Sequence, residues 1–411
     1  MSIGVCIVVE NLPVPFDRRV WQEARALTEA GYRVSIISPK MGKLQQSHET
    51  REGIEIYRHS IWEAQGPFGY VFEYGWALAA ELCLAVKVYR SSRFRILHAC
   101  NPPDTIFLIS WLFKPLGVRF IFDHHDLNPE LFEAKFGGKR GFFYRFVCLA
   151  ERLAYRAARV SIATNESYRE VAIQRGKMSP ERVFVVRSSP DLEHMPPGEI
   201  RPELKRGRQY LVAYRGVMGP QDGVDLLIES ILAIVRERGF DEVFFALIGD
   251  GTEVAKLKAL AAERGLNDVV CFPGRLPDAE LAAYLSTADV CVAPDPRNPM
   301  NDKSTMNKVL EYMAYRRPVV LYDLTEGRRA AGDAALYARP NDPSDFAAQI
   351  LTLLDSEPLR RKLGEAGRRR IEESLNWKFE KAELLKAYEA ALRSPGSTTS
   401  ASPSPIQSRS A

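Results

Sequence analysis

Asn301-Asp302-Lys303-Ser304-Thr305-Met306-Asn307-Lys308-Val309-Leu310-Glu311-Tyr312-Met313-Ala314, followed after one residue by Arg316-Arg317-Pro318-Val319-Val320-Leu321, reads as a polar loop, a short helix and a buried strand in succession. Ser304, Thr305 and Asn307 are residue types that cap helix N-termini. The backbone N–H groups beside such residues draw an anion to the tip, with the helix dipole behind them. One turn inside, the Glu311 carboxylate can accept hydrogen bonds from paired hydroxyls such as those of a ribose. Lys308 lies three residues earlier and shares its face. Pro318 then opens an apolar, β-branched run of the kind found in parallel sheets. For one such segment alone, a capped helix with a surface glutamate is the plain alternative. Phosphate at the tip with sugar hydroxyls alongside is what a nucleotide-sugar site requires.

Outward from this segment the chain alternates strands and helices. Residues 3–9, 33–38, 54–57, 96–99, 120–123, 160–164 and 183–185 read as strands, and 18–30, 71–90, 104–116, 142–158 and 166–175 as helices. Residues 187–208 break the rhythm with Ser, Pro, Gly and basic residues, the composition of a linker. Alternation resumes over 211–214, 224–238, 243–248, 252–264, 269–272, 278–286 and 290–293, and helical patterns fill 344–354, 357–374 and 378–393. This is the pattern of an α/β chain with two Rossmann-like, doubly wound parallel sheets facing across a cleft. Ligands then lie outside the carboxyl ends of the strands. The expected units are 1–190 and 209–376, a terminal helix over 377–393, and a Ser/Pro/Gly/Thr-rich tail over 394–411 whose composition predicts disorder.

A length of 411 residues suits two domains, and the 46% hydrophobic and 26% charged contents are those of an ordinary globular protein. A net charge of +4 makes no case for nucleic-acid binding. Six cysteines without paired spacing read as buried reduced thiols in a cytosolic protein. The chain enters its first strand with no basic n-region ahead of it. The apolar stretch 76–88 carries Glu81 and Lys87, and 105–122 carries Lys114, Pro115 and Arg119, so neither reads as a membrane span.

Several junctions carry chemistry. Phe122-Asp123-His124-His125-Asp126-Leu127-Asn128-Pro129-Glu130 ends a strand at the cleft, and two adjacent histidines beside two aspartates point to function. Neighbours on a strand end face opposite ways, no second His/Cys cluster exists and no Asp-x-Asp occurs, so no metal and no cofactor are expected. In Tyr214-Arg215-Gly216-Val217-Met218-Gly219-Pro220-Gln221-Asp222-Gly223 the glycines let backbone approach an anion, although a tight strand-to-helix turn is the plainer account of the segment alone. Gly249 sits in a second strand–Gly–helix turn that lacks the third glycine of a dinucleotide fingerprint. Asp289 reads as a cap and Asp295 as a cleft residue. Asp17 can cap the helix that follows it. Arg18 and Arg19 in its first turn oppose the dipole, which suggests phosphate binding, with exposed arginines the equal alternative. The stretches 68–76 and 135–146 mix aromatic and basic residues, as at an anionic bilayer, although core-facing aromatics are the simpler account of either alone.

These segments together resemble the family 4 retaining glycosyltransferases of GT-B architecture, over residues 5 to 392. That family carries two glutamates bracketing seven residues, then a Met-Ala helix end and a Pro-Val-Val strand. Glu311 matches the second glutamate, while Lys303 stands at the first, beside Asp302. The family's diphosphate-binding Arg and Lys fall at Val217 and Asp222, which leaves Arg215 and Lys308 as the nearby cations.

The resemblance implies a retaining transfer of sugar from a nucleotide-sugar donor to a hydroxyl acceptor, a glycan or polyprenyl-diphosphate-linked acceptor in surface polysaccharide assembly. It implies catalytic roles for His125, beside the transferred sugar, with Asp126, Lys308 and Glu311. Donor contacts fall to Arg215, Gly216, Val217, Gly249, Arg275, Lys303, Ser304, Thr305, Asn307, Lys308 and Glu311, and acceptor contacts to Asp17, Arg18, Arg19 and Glu130. It further implies a last helix that crosses back to the first domain, and a cytoplasmic protein peripheral on the inner face of the membrane. A nucleotide-sugar epimerase and a catalytically inactive subunit of the same architecture are the alternatives.

Overall fold

The computed structural model describes residues 2–61, 67–135, 140–237 and 242–393, with backbone alone at 67–74, 134, 135 and 237. In the first half, β1 (Gly4–Val9), β2 (Arg33–Pro39), β3 (His48–Arg51), β4 (Ile54–His59), β5 (Ile96–Cys100), β6 (Arg119–His124), β7 (Val160–Ala163) and β8 (Val183–Val185) form one sheet in the order β3-β4-β2-β1-β5-β6-β7-β8. Only β3 runs antiparallel, on the edge. In the second half, β9 (Tyr210–Arg215), β10 (Val243–Ile248), β11 (Val270–Gly274), β12 (Val290–Ala293), β13 (Val319–Tyr322) and β14 (Ala335–Ala338) form a parallel sheet in the order β11-β10-β9-β12-β13-β14. Every residue of β1 and of β10 is buried. That is why these strands are unbroken apolar runs with no alternation: both faces of a parallel sheet are covered by helices. Strand order reverses between β1 and β5 and again between β9 and β12, so each half offers a binding crevice at the carboxyl ends of those strands.

The sequence pattern misses four elements. Strand β3, His-Glu-Thr-Arg, has no apolar face and is held only by its register on β4. Strand β14 is a four-residue run behind a turn. Helix Asn128–Lys135 hides its pattern behind Pro129, and Thr325–Ala331 contains Gly327. The stretch read as one helix over 104–116 is a short helix, Phe107–Phe113, between two 3-10 turns, the second containing Pro115. The pattern over 224–238 is α-helical to Leu232 and then widens into a π turn over Ala233–Glu237. Asp289 is no helix cap: it accepts from Leu211 N at 2.8 Å and pairs with Lys205 Nζ at 2.8 Å, fixing the start of β9. The 394–411 tail lies outside the described residues. Among the described residues, no helix is long and apolar enough to cross a membrane.

Helix Trp377–Leu392 follows the second half in sequence but buries Trp377, Leu384, Ala387, Tyr388 and Ala391 in the core of the first, against Val5, Ile7, Ile121 and Ile162. Burial of each large apolar side chain contributes about 1.5–3 kcal/mol, enough to hold the helix firmly. Its Glu380 accepts from Arg187 N at 2.8 Å and Ser189 Oγ at 3.1 Å, and so fastens the beginning of the linker.

At the end of β10 the chain turns through Gly249 with φ +144°. A Cβ there would collide with the Gly216 carbonyl oxygen, which is backbone and cannot step aside. Gly249→Ala should therefore cost about 2–4 kcal/mol of stability, read as a lower urea midpoint with an unchanged m-value.

Candidate active site

Between the two crevices lies a cavity of about 330 Å³, lined by Arg19, His125, Asp126 and Tyr168 of the first half and by Asp222, Asp295, Asn301 and Ser304–Asn307 of the second. On the first side, His124 ends β6 and His125 follows it, and the two side chains go to different environments. His124 is buried, with Nδ1 2.6 Å from the Tyr155 hydroxyl. Burial and the Arg175 charge push its pKa down to about 3, so it is a neutral core residue. His125 points its Nε2 at Asp123 Oδ2, 2.6 Å away. Burial disfavours its charge, but the Asp123 carboxylate outweighs this and raises its pKa.

Asp123 is buried, which alone would favour its neutral form. Arg19 first, then His125, hold it well below the usual carboxylate range. Arg19 lines the cavity, yet its guanidinium is committed: Nη2 to Asp123 Oδ1 at 2.9 Å and Glu23 Oε1 at 3.0 Å, Nη1 to Val186 O at 2.7 Å. It is not free to grip an acceptor diphosphate. His98, Cys100 and Asp123 bring three possible metal-ligand atoms within 4.8 Å. Here the Arg19 guanidinium sits on the aspartate and both His98 nitrogens have partners, so the cluster is an ion-pair core.

Asn101, which the sequence reading overlooks, pins the histidine loop. Its Oδ1 accepts from His125 N at 2.6 Å and Asp126 N at 3.1 Å, and its Nδ2 donates to Asp104 Oδ1 and Asp126 O, both at 2.8 Å. The available signal was Asn-Pro-Pro-Asp directly after an apolar strand at the switch point.

On the second side, helix Asn307–Ala314 starts behind Met306, whose cap position has no side-chain hydrogen bond. Ser304, Thr305 and Asn307 thus do not cap it. Ser304 Oγ donates to Met300 O at 2.8 Å, and Thr305 Oγ1 accepts from Asn165 Nδ2 at 3.2 Å across the cleft. The first-turn N–H groups are left without a side-chain acceptor where the helix meets the cavity. Lys308 is buried, donates from Nζ to Asp295 Oδ1 at 2.7 Å and lies 4.9 Å from the Tyr214 ring centre. Its Cε lies 3.3 Å from where a Cβ on Gly216 would stand, so lysine and glycine loop are neighbours. Asp222, at the place of an expected cation, accepts from Gly219 N at 2.9 Å and closes its own turn. Burial lifts its pKa against the pull of Lys308. Glu311, one turn in, pairs with Arg215 Nε at 3.2 Å. Burial raises its pKa and Arg215 opposes the rise. Val217 is exposed, and Arg275 stacks 4.0 Å from the ring centre of Phe16 in the opposite half.

Of the remaining sequence candidates, Lys303, Glu130 and Arg18 bridge the halves, while Asp17 and Asp302 are held within their own. Lys303 Nζ pairs with Glu130 Oε1 at 3.0 Å, and Glu130 also takes both Arg175 nitrogens at 2.9 and 3.0 Å. Arg18 pairs with Asp278, and Asp17 Oδ1 caps its helix by accepting from Val20 N at 3.1 Å. Asp302 accepts from Thr325 N and Oγ1 at 3.0 and 2.9 Å. Ser167 donates from N and Oγ to Glu326 Oε1 at 3.1 and 2.6 Å.

Two doubly wound sheets closed on a cleft, with the last helix packed on the first, define the GT-B architecture. Residues 17–188 match the glycosyl transferase 4-like domain and residues 209–356 match glycosyl transferases group 1. The chain belongs to this glycosyltransferase family. It is 28% identical to an MMP alpha-(1->4)-mannosyltransferase of Mycolicibacterium hassiacum over 61% of this chain and 58% of that protein. The chain spans about six tenths or less of the length of the curated relatives it matches. Its fold is that of sucrose-phosphate synthase from Thermosynechococcus elongatus, with TM-score 0.77, 18% identity and coverage of 94% and 98% of the two chains. It is also that of Anabaena HepE, solved in complex with UDP and glucose, with TM-score 0.71, 14% identity and coverage of 95% and 100%.

Asp104, beneath the histidine loop, gives a pH test. Burial raises its pKa to about 7, against opposing hydrogen bonds from Asn128 and Asn101. With the folded value above the unfolded 3.8, its contribution is full below pH 3.8 and is lost as pH rises through 7. Asp104→Asn should remove up to about 4 kcal/mol of the stability loss between pH 4 and pH 8, measured by urea denaturation at both. Glu23, raised to about 7 by burial, supplies part of the slope that remains.

Proposed function

We propose that this protein transfers a sugar from a nucleotide-sugar donor to a hydroxyl acceptor with retention at the anomeric carbon. The observation that carries the reading is the uncapped tip of helix Asn307–Ala314 on the cavity wall across from His125, with Lys308 and Glu311 behind it on the same helix and Gly216 beside Lys308. The donor diphosphate sits at the tip, where free N–H groups and Lys308 stabilise the charge that grows as the glycosidic C–O bond breaks. Lys308 has three donors and Asp295 takes one. Glu311 accepts from the ribose hydroxyls, which displace Arg215 toward the phosphates. Asn307 and Thr305 face the diphosphate and sugar, and Gly249 and Arg275 lie toward the base. His125, with Asp126 at its flank, faces the transferred sugar. Among the described second-half residues that line the cavity, the carboxylates are engaged, Asp295 by Lys308 and Asp222 by its own turn, so the acceptor attacks from the leaving-group face and its proton passes to the departing phosphate. The helix tip and cations supply the charge a divalent ion would bring, so we infer a metal-independent reaction.

Of the candidates that bridge the halves, Lys303 and Glu130 serve closure in this reading, a step that excludes water from the donor. The first half also fits a lipid-linked acceptor at an anionic membrane. Leu108, Trp111, Leu112 and Leu116 are exposed on one helical segment, and Phe142, Phe143, Phe146 and Leu149 on the helix Phe142–Ala157 that packs beside it. Arg145, Arg152 and Arg156 are exposed on that same helix. Large exposed apolar patches mark interaction sites, and basic neighbours favour anionic lipid. Of the two stretches read from the sequence as bilayer-facing, 136–139 and the 68–74 side chains lie outside the described residues.

A thermal-shift series with nucleoside diphosphates should show selective stabilisation by one of them. Glu311→Ala should weaken that nucleotide roughly ten- to a hundredfold, the loss of one or two charge-assisted hydrogen bonds. Lys308→Ala should weaken the diphosphate while sparing the nucleoside. Epimerised free donor formed without acceptor, or no nucleotide binding at all, would overturn the reading in favour of an epimerase or an inactive subunit. For the membrane face, flotation with phosphatidylglycerol vesicles at low salt should retain the wild type and lose the Trp111→Ser/Phe142→Ser/Phe146→Ser variant. Equal recovery of the two, or none of the wild type, would remove that part.

A further inference from the structure

We infer that His98 and Tyr388 are positioning residues for His125, acting through a buried chain of hydrogen bonds that runs Tyr388–His98–Asp123–His125. The last helix of the chain thereby reaches the reacting centre from behind. This rests on the reading above only in calling His125 part of that centre.

Tyr388 Oη lies 2.6 Å from His98 Nδ1, His98 Nε2 lies 3.3 Å from Asp123 Oδ2, and His125 Nε2 lies 2.6 Å from that same oxygen. Tyr388, His98 and Asp123 are fully buried. One proton arrangement satisfies the four members of the chain, with Arg19 Nε–H directed to Asp123 Oδ2 at 3.3 Å because a protonated His125 Nε2 cannot accept it. The phenol donates to Nδ1, His98 carries its proton on Nε2 and donates to Asp123, and His125 donates from its own Nε2. The opposite tautomer of His98 would strand the phenol proton and set a bare nitrogen lone pair against a carboxylate. Burial also keeps the phenol protonated, its pKa well above the ordinary value. Asp123 thus holds His125 with one oxygen shared between two imidazoles, and each donor on that oxygen tempers its pull on the other.

The titratable groups around this chain come from the first helix and from β5. Arg19 Nη2 and Nε meet Asp123 at 2.9 and 3.3 Å, with Nε also 3.0 Å from His125 Nε2. Glu23 Oε2, on the same helix, stands 3.8 Å from His98 Nε2, and Asp17 caps that helix. From β5, Cys100 Sγ lies 3.9 Å from Asp123 Oδ2. Tyr388 is the contribution of the last helix. That helix follows the second half in sequence, so its docking on the first sheet completes the support of His125.

The test is histidine nitrogen NMR on the full chain, with His125 assigned by His125→Gln. In wild type, His98 should show one fixed tautomer with the proton on Nε2. His98→Phe removes a donor from Asp123, so the His125 pKa should rise by about one unit. His98→Gln, which keeps a donor, should restore most of the wild-type value. Tyr388→Phe should give a mixed His98 tautomer and a smaller rise. The acid limb of kcat/KM should move with the His125 pKa, whereas a purely structural role would lower Tm and leave that limb in place. An unmoved His125 titration in folded His98→Phe and Tyr388→Phe overturns the proposal. If those variants do not fold, the wild-type spectrum decides, because a His98 proton on Nδ1 overturns it as well. The titration needs no sugar donor, so an absence of transfer activity would count against the functional reading and leave this one standing.

Discussion

The buried ion pair between Arg19 and Asp123 is the constraint on which the first half and its face of the cleft depend. Arg19 comes from the opening helix, Asp123 from the middle of the sheet, and the same guanidinium holds the Val186 carbonyl where the linker begins. Removing one partner of such a pair leaves an uncompensated buried charge, at about 3–5 kcal/mol. Glu23 beside the pair, drawn toward neutrality by burial, keeps the local charge balance adjustable. Through His98 and Tyr388 the network extends to the final helix, so the element that straps the two halves together is bonded to the carboxylate behind His125.

Across the cavity the logic differs. Lys308 and Asp295 form a compact buried pair with nearly cancelling charge, and the second oxygen of Asp295 has no hydrogen-bond partner. The wall facing the cavity is therefore electrostatically mild. Arg215 is held by Glu311 in the same way. Each cation is thus kept in place by a carboxylate, with no uncompensated buried charge. The bridging pairs Lys303–Glu130 and Arg18–Asp278 keep further charges neutralised at the junction of the halves.

Much of this was legible in the chain. Continuous apolar runs such as 243–248 announced parallel strands, and Gly216 and Gly249 announced the turns after β9 and β10. The histidine pair was legible as a cleft feature, and strand alternation already said that its two members would part company. Asn101 was legible only as part of Asn-Pro-Pro-Asp after an apolar strand, because its partner loop lies 24 residues away. The short strands β3 and β14 were missed for a related reason: pairing partners, not their own side chains, make them strands.

Sequence alone determined the two-sheet architecture, the place of the cleft and the segments that line it, since periodicity and turn chemistry are local properties. Only the tertiary structure decided which polar side chains remain available there. Arg19, Lys303 and Glu130 looked like ligand contacts in one dimension and are engaged with each other or with buried partners, while Arg18 meets Asp278 at the exposed junction of the halves. A charged group taken out of water must find a counter-charge. Which counter-charge it finds depends on neighbours that folding brings from 100 or more residues away, such as Asp123 to Arg19 and Glu130 to Lys303.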